Sequence, residues 1–250
     1  MEIFSKIEKF LAKKNFIFVH LETVESTMIE IKKYFGKKNI CMIADEQTAG
    51  IGRRGNKWIS PKGNFYLSFL FKFKLSIEDH FIFNAVTVNS ITKFLNRYID
   101  ENANIKWPND ININKKKIAG IMTEIIDHNK KKYIIIGAGI NILNSPKIHD
   151  YETCCLRDYV SNIKYEDMLY YLIKSYFAEY QMILDKKYIQ IIDKFRKKMT
   201  HLGSNINVLL PNGIIENVLL KNLNYDGSLL VEKEGKEENI FSARIINDIY

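Results

Sequence analysis

Cysteine is scarce in this 250-residue chain, and its placement rules out more than it offers. Cys41, Cys154 and Cys155 form an odd set with two sequence neighbours, so neither a disulfide framework nor a metal-ligand spacing is available. His20, His80, His128, His149 and His201 stand far apart, and none pairs with a cysteine at zinc-like spacing. A reducing cytoplasm is the expected setting. Nowhere are there the ~20 consecutive apolar residues that span a bilayer. The N-terminus carries no apolar leader, and no repeat or low-complexity linker interrupts the chain. No membrane partner is expected.

What is present is ordinary for a globular protein: 46% hydrophobic and 26% charged residues, in a length that fits one large domain and a small one. The 37 basic and 29 acidic residues give a net charge of +8, which raises the question of nucleic acid. Much of the excess is lysine in clusters such as Lys115-Lys116-Lys117 and Lys130-Lys131-Lys132, within a general bias toward Asn, Ile and Lys. A basic RNA-binding protein using its charge and 14 tyrosines would show salt-sensitive affinity. That reading leaves the motifs below unexplained.

The chain is organised around Asp45-Glu46-Gln47-Thr48-Ala49-Gly50-Ile51-Gly52-Arg53-Arg54-Gly55-Asn56-Lys57-Trp58, which follows an apolar strand candidate, Ile40 to Ala44. Glycine permits close backbone approach to a ligand, and arginine offers a planar fork of donors for carboxylate or phosphate. Gly50, Gly52 and Gly55 also spell a dinucleotide-binding fingerprint, but that motif needs its third glycine to open a helix. Pro61 and Gly63 break any helix here, so the Rossmann reading fails.

Met1 to Lys14 reads as an amphipathic helix, with Ile3, Ile7, Phe10 and Leu11 on one face. Phe16-Ile17-Phe18-Val19 is a strand, and Met28 to Phe35 a helical run with Ser26 or Thr27 as N-cap, ended by Gly36. Phe65 to Phe71 is a buried strand, and Ile77 to Ile99 a helix packed across the sheet. Ile105 to Ile113 gives two strand pieces joined at Pro108; Ile118 to Ile126 and Tyr133 to Asn141 follow as strands. Tyr165 to Met199 returns to helix. Strands grouped together, with helices in blocks at either end, indicate α+β with a largely antiparallel sheet. The domain boundary falls near Thr200-His201-Leu202-Gly203, dividing residues 1–200 from 201–250. Short runs (Ile206 to Leu210, Ile214 to Leu220, Leu229 to Glu232, Ile240 to Ser242) between turn signals suggest a small β-barrel.

Glu25-Ser26-Thr27, the glycine loop, Lys106-Trp107-Pro108-Asn109-Asp110, Lys117-Ile118-Ala119-Gly120-Ile121 and Gly137-Ala138-Gly139-Ile140-Asn141 occur in that order. Together they resemble biotin protein ligases, which join biotin to carrier proteins through biotinyl-AMP. The resemblance covers Phe18 to Asn141 and extends more weakly over the C-terminal segment. It implies a class II synthetase-like catalytic fold with a C-terminal SH3-like β-barrel. Some members carry a helix-turn-helix domain; there is no room for one ahead of Phe16, so no DNA operator binding is expected. Lipoate ligases and octanoyltransferases of related fold are the nearest rivals, and Trp107-Pro108-Asn109-Asp110 with the Gly-x-Gly-Arg-Arg-Gly loop favours biotin.

The implied reaction activates a carboxylate with ATP and passes it to the acceptor lysine of a carboxylase's biotin carboxyl carrier protein. It needs no protein nucleophile, only positioning and charge stabilisation. By resemblance the catalytic residues are Lys117, Arg53 and Asp110. Alone, a lysine in a triplet is usually a solvated charge; Lys117 is chosen over Lys115 and Lys116 because it precedes Ile118-Ala119-Gly120. Biotin is assigned to Ser26, Thr27, Met28, Gln47, Gly50, Ile51, Gly52, Arg53, Lys117 and Gly120. The nucleotide is assigned to Arg53, Arg54, Trp58, Asn109, Lys117 and Asn141, with Arg54 either sharing the phosphate clamp or simply solvated. Trp58 and Trp107 are core residues unless Trp58 meets adenine. Mg²⁺ would come with ATP, near Asn109 and Asp110, and Asp110 would help deprotonate the acceptor lysine. Where the family reads Gly-Arg-Gly-Arg-Arg-Gly, this chain has Ile51 in place of the first arginine, so either a nearby lysine compensates or the adenylate is held more loosely. An exposed sheet edge would allow a homodimer.

Overall fold

The computed structural model describes residues 2–149 and 151–246; Met1 of the expected first helix and the last four residues of the expected C-terminal domain lie outside them. Helix α1 (Glu2–Ala12) buries Ile3, Ile7 and Leu11, which recur every four residues and so share one face. Strands β1 (Phe16–Val24) and β2 (Asn39–Gln47) run parallel, joined through α2 (Thr27–Glu30) and a 3-10 turn, Ile31–Tyr34. Ser26 occupies the N-cap position of α2, but its hydroxyl makes no capping bond.

The remaining strands of the main sheet are β3 (Phe65–Lys72), β4 (Asn104–Lys106), β5 (Asp110–Ile113), β6 (Lys116–His128) and β7 (Lys131–Ile140). The order is β1-β2-β3-β7-β6-β5-β4, and every pair after the first is antiparallel. The strands joined at Pro108 and the long β6–β7 hairpin are as the sequence suggests.

Helix α3 (Phe81–Leu95) lies across this sheet and packs against α4 (Tyr165–Leu184) and α5 (Tyr188–Arg196). All its residues except Lys93 are buried, so it is enclosed on all sides and not one-sided. Most of its polar side chains are hydrogen-bonded, as burial demands: Thr87 Oγ1 donates to the Phe83 carbonyl and Asn84 Nδ2 to that of Pro108, while Asn89 Oδ1 is buried without a partner among the described residues. Among the described residues no helix is long and apolar enough to cross a membrane.

Strands β8 (Asn205–Leu209), β9 (Ile215–Leu223), β10 (Leu229–Lys233), β11 (Lys236–Ile240) and β12 (Arg244–Ile246) form a second, antiparallel sheet in the order β11-β10-β9-β8-β12. This corrects the expected barrel. The sheet is open, with β11 and the three-residue β12 as opposite edges. Closure would need those edges to pair. The expected strand Ile240 to Ser242 is instead the end of β11 and the bend before β12.

The second sheet is pinned to the first. Trp107 Nε1 donates to the Gly227 carbonyl at 2.8 Å in a buried bond, and Arg196 Nη2 donates to that of Leu223 at 2.6 Å. Gly227 has φ +87°, and a Cβ there would overlap the Phe81 ring. One hydrophobic core runs from α1 through α3 to Val208, Leu220 and Val231 of the second sheet.

Candidate active site

On the sheet face opposite α3, strands β6 and β7 carry paired glycines: Gly120 faces Gly139 across the ladder. The Trp58 indole lies on this pair. A Cβ on Gly139 would overlap indole Nε1, and one on Gly120 would lie 2.9 Å from Cζ3. A Cβ on Gly137 would lie 2.6 Å from the Met28 sulfur. Backbone without side chains thus forms the floor of a cleft.

At one end of the cleft a chain of hydrogen bonds crosses from β3 to the loop. Ser68 Oγ donates to Thr27 Oγ1 (2.8 Å), whose hydroxyl and backbone N–H both donate to Gln47 Oε1 (3.1 and 2.9 Å). Gln47 Nε2 donates to Ser60 Oγ (2.9 Å), and Ser60 donates to the Trp58 carbonyl (2.8 Å). Beside them Ser26 Oγ, which lines the cleft, is buried with no hydrogen-bond partner among the described residues. A buried hydroxyl left so is costly unless a ligand completes it.

The glycine loop leaves β2 and folds back as a hairpin. Gly52 N–H donates to the Asn56 carbonyl (2.7 Å), Trp58 N–H donates to that of Gly50 (2.8 Å), and Ile51 bridges to Lys57. No helix follows Gly55; Arg53–Gly55 is one 3-10 turn, with Arg54 at φ 55° and Gly55 at φ 78°. The two arginines diverge. Arg53 lines the cleft and donates from Nη1 to Asn109 Oδ1 (2.8 Å), while Asn109 Nδ2 donates to the Ile121 carbonyl (2.7 Å). Arg54 donates from Nη2 to Ser242 Oγ (3.1 Å) beyond the end of β11.

Lys117 stands at the partition between this cleft and a second, smaller cavity lined also by Lys57, Ile59, Asn141 and Tyr151. Its ammonium lies 2.7 Å from Asp110 Oδ1, and 5.3 and 5.2 Å from the ring centres of Trp58 and Tyr151. Its side chain is only 15% exposed, so the ion pair is largely shielded from solvent. Lys106 is close enough to feel Asp110, Arg244 and Lys117; burial lowers its pKa first, and the two cations lower it further. Burial also lowers the Arg53 pKa, with Arg54 adding to the effect and Asp110 opposing it. One carboxylate among several cations suits an anionic ligand.

Of the residues assigned from sequence, Ser26, Thr27, Met28, Gln47, Ile51, Gly52, Arg53, Trp58, Asn109, Lys117 and Gly120 line one cleft. Gly50 is behind its wall: a Cβ there would come within 2.6 Å of Ser60 Oγ. Asn141 lies in the second cavity, its Nδ2 donating to the Cys154 carbonyl and its Oδ1 buried without a partner among the described residues. Asp110 reaches the site through Lys117, and Arg54 points away toward Ser242. Sequence reasoning gave no role to Lys57, Leu67, Met122, Gly139 or Tyr151. Gly139 stood in a quoted motif and was legible; Tyr151 had no signal of its own.

The residues do not fit a resident metal. The Asn109 amide is taken up by Arg53 and Ile121, Asp110 is ion-paired, and no group of three or more His, Cys, Asp or Glu exists among the described residues.

Two adjoining cavities share Lys117 beside a loop that brings Arg53 to the cleft, an arrangement suited to holding an anionic ligand. Residues 21–141 match the profile of the biotin/lipoate A/B protein ligase family. The chain is 24% identical over 232 residues to the bifunctional ligase/repressor BirA of Bacillus subtilis, covering 90% of this chain and 71% of that one. It is 28% identical over 216 residues to the human biotin–protein ligase, covering 79% of this chain and 29% of the human protein. The solved biotin protein ligase of Aquifex aeolicus, in complex with biotin and ATP, superposes with a TM-score of 0.76 at 25% identity, covering 93% of this chain and 98% of that one. The chain is thus similar to the biotin/lipoate A/B protein ligase family over residues 21–141, and the relatives that align over most of its length are biotin protein ligases.

Proposed function

We propose that this protein forms biotinyl-AMP from biotin and ATP and transfers biotin to a lysine of a biotin carboxyl carrier protein in the cytoplasm. The observation that carries the reading is Lys117, placed at the junction of the two cavities with Asp110 as its only carboxylate partner among the ion pairs described. Biotin's neutral ureido ring has two donors and a carbonyl, which suit Ser26, Thr27 and Gln47 at the polar end of the cleft. Its valerate chain would run over Gly120 and Gly137 and bring the carboxylate to Lys117.

ATP would take the second cavity, with Trp58, Tyr151 and Asn141 about the base and Mg²⁺ arriving on its phosphates. A carboxylate oxygen attacks the α-phosphorus and pyrophosphate leaves. Lys117 exchanges Asp110 for the two anions, offsetting their repulsion and the charge developing on phosphorus. Arg53 bears on the same phosphate. The acceptor amine then attacks the anhydride carbonyl and AMP leaves. An acceptor ammonium, with a free pKa of ~10.4, must first lose a proton; Asp110, freed from Lys117, is positioned to accept it. Lys57, cross-strand from Ile51 and lining the nucleotide cavity, supplies a cation where the family loop has its first arginine.

The lipoate or octanoate reading is disfavoured by Ser26 Oγ, buried in the cleft wall without a partner among the described residues, which an aliphatic tail would leave unsatisfied. The test supplies ATP, a carrier domain and labelled biotin, lipoate or octanoate. Label should appear from biotin alone, and not on a carrier whose acceptor lysine is arginine. Labelling from lipoate or octanoate but not biotin would reject the assignment.

A further inference from the structure

Resting on the reading above, we infer that Arg54 is a positioning residue: it latches the glycine loop to the second sheet through Ser242 and so holds the loop over the acyl-adenylate. Three observations meet here. First, neighbouring arginines at the loop tip face opposite ways, Arg53 into the cleft toward Asn109 and Arg54 outward, 3.1 Å from Ser242 Oγ. Second, Arg54 holds a left-handed backbone (φ 55°), a conformation that a non-glycine residue adopts at a cost and retains where its surroundings favour it. Third, the sheet it reaches is a fixed post. That sheet is tied to the catalytic half by the Trp107–Gly227 and Arg196–Leu223 bonds and by Phe81 against Gly227.

A loop that must open to admit ligand and close to retain it needs a contact made and broken at low cost. A single exposed guanidinium–hydroxyl bond is of that kind, whereas the inward Arg53–Asn109 bond belongs to the cleft itself. Arg54 thus acts through the loop and needs no contact with phosphate.

The test uses the full chain with Ser242→Ala, Ser242→Thr, Arg54→Ala and the double variant Arg54→Ala/Ser242→Ala. Ser242 lies outside both cavities, and both side chains sit at the surface, so the fold should persist. Limited trypsin digestion of the ligand-free protein reads loop opening at Arg53, Arg54 and Lys57 without reference to activity. Ser242→Ala should be cut about three- to tenfold faster than the parent, the effect expected of one side-chain hydrogen bond; Ser242→Thr should behave as the parent. Release of preformed biotinyl-AMP should quicken by a like factor in Ser242→Ala and Arg54→Ala, and no further in the double variant. Fast release in Arg54→Ala with parent-like release and digestion in Ser242→Ala would overturn the latch and make Arg54 a phosphate ligand. If the parent forms no biotinyl-AMP, the functional reading fails, while the digestion still decides whether the latch exists.

Discussion

Single residues decide the chemistry, and the floor of the site shows how. Gly139 admits the Trp58 ring, because any side chain there would take the indole's place. Gly139→Ala should therefore raise the KM for ATP by about tenfold, equivalent to ~1.4 kcal/mol, and weaken biotin less, although Gly139 also lines the biotin cleft. A fluorescence titration of each ligand reads this; equal loss for both would mean the ring does not serve the nucleotide alone. Ile51 offers the converse experiment. Because Lys57 already supplies the loop cation, Ile51→Arg should leave adenylate release nearly unchanged, measured by trapping released biotinyl-AMP. A much slower release would show that Lys57 does not fill that place. Among the assigned residues, those tied to a motif were legible in sequence, since their neighbours fixed them: Lys117 by Ala119-Gly120, Gln47 by the glycines after it. Tyr151 was not, because it reaches Lys117 only through a turn that no local pattern announces.

At the scale of elements, the glycine loop and the second sheet are the parts that long-range contacts settle. Sequence gave the loop as a loop because Pro61 and Gly63 exclude a helix, but nothing local separates an inward Arg53 from an outward Arg54. The main sheet was readable for the opposite reason: its strands are long apolar runs bounded by turns. The second sheet's strands were mostly found, and its openness was not. Strand β11, Lys-Glu-Glu-Asn-Ile, buries only Ile240, so it carries no apolar alternation to reveal it. The anchoring of this sheet rests on Trp107. Trp107→Phe keeps the ring's bulk and leaves the Gly227 carbonyl unpaired, which should cost ~1–3 kcal/mol. Urea denaturation measures it; an unchanged midpoint would show that packing alone holds the sheet.

The whole molecule has a stability profile set by buried acids that stay protonated. Burial raises the thiols of Cys41 and Cys154, the latter to about 11, and the phenols of Tyr66, Tyr165 and Tyr176. In the unfolded chain these ionise from about 9 for thiols and 10 for phenols upward. Above those values the folded state binds more protons than the unfolded, so stability falls as pH rises. Lys106 and Lys198, lowered chiefly by burial, act in the opposite sense and are outnumbered. The urea midpoint should therefore be lower at pH 10 than at pH 8, by about 1.4 kcal/mol for each thiol; a higher midpoint at pH 10 would contradict the assignment of these groups to the core. The same molecule places the one shielded Lys–Asp pair among the described residues where two cavities meet, and the account stands on that lysine. ATP–pyrophosphate exchange dependent on biotin, run on the parent and on Lys117→Ala, tests it most directly. Exchange in the parent that drops on the order of 10²–10³-fold in the variant, with biotin still bound, is the predicted result. Exchange of equal rate in both would remove Lys117 from the chemistry and contradict the account.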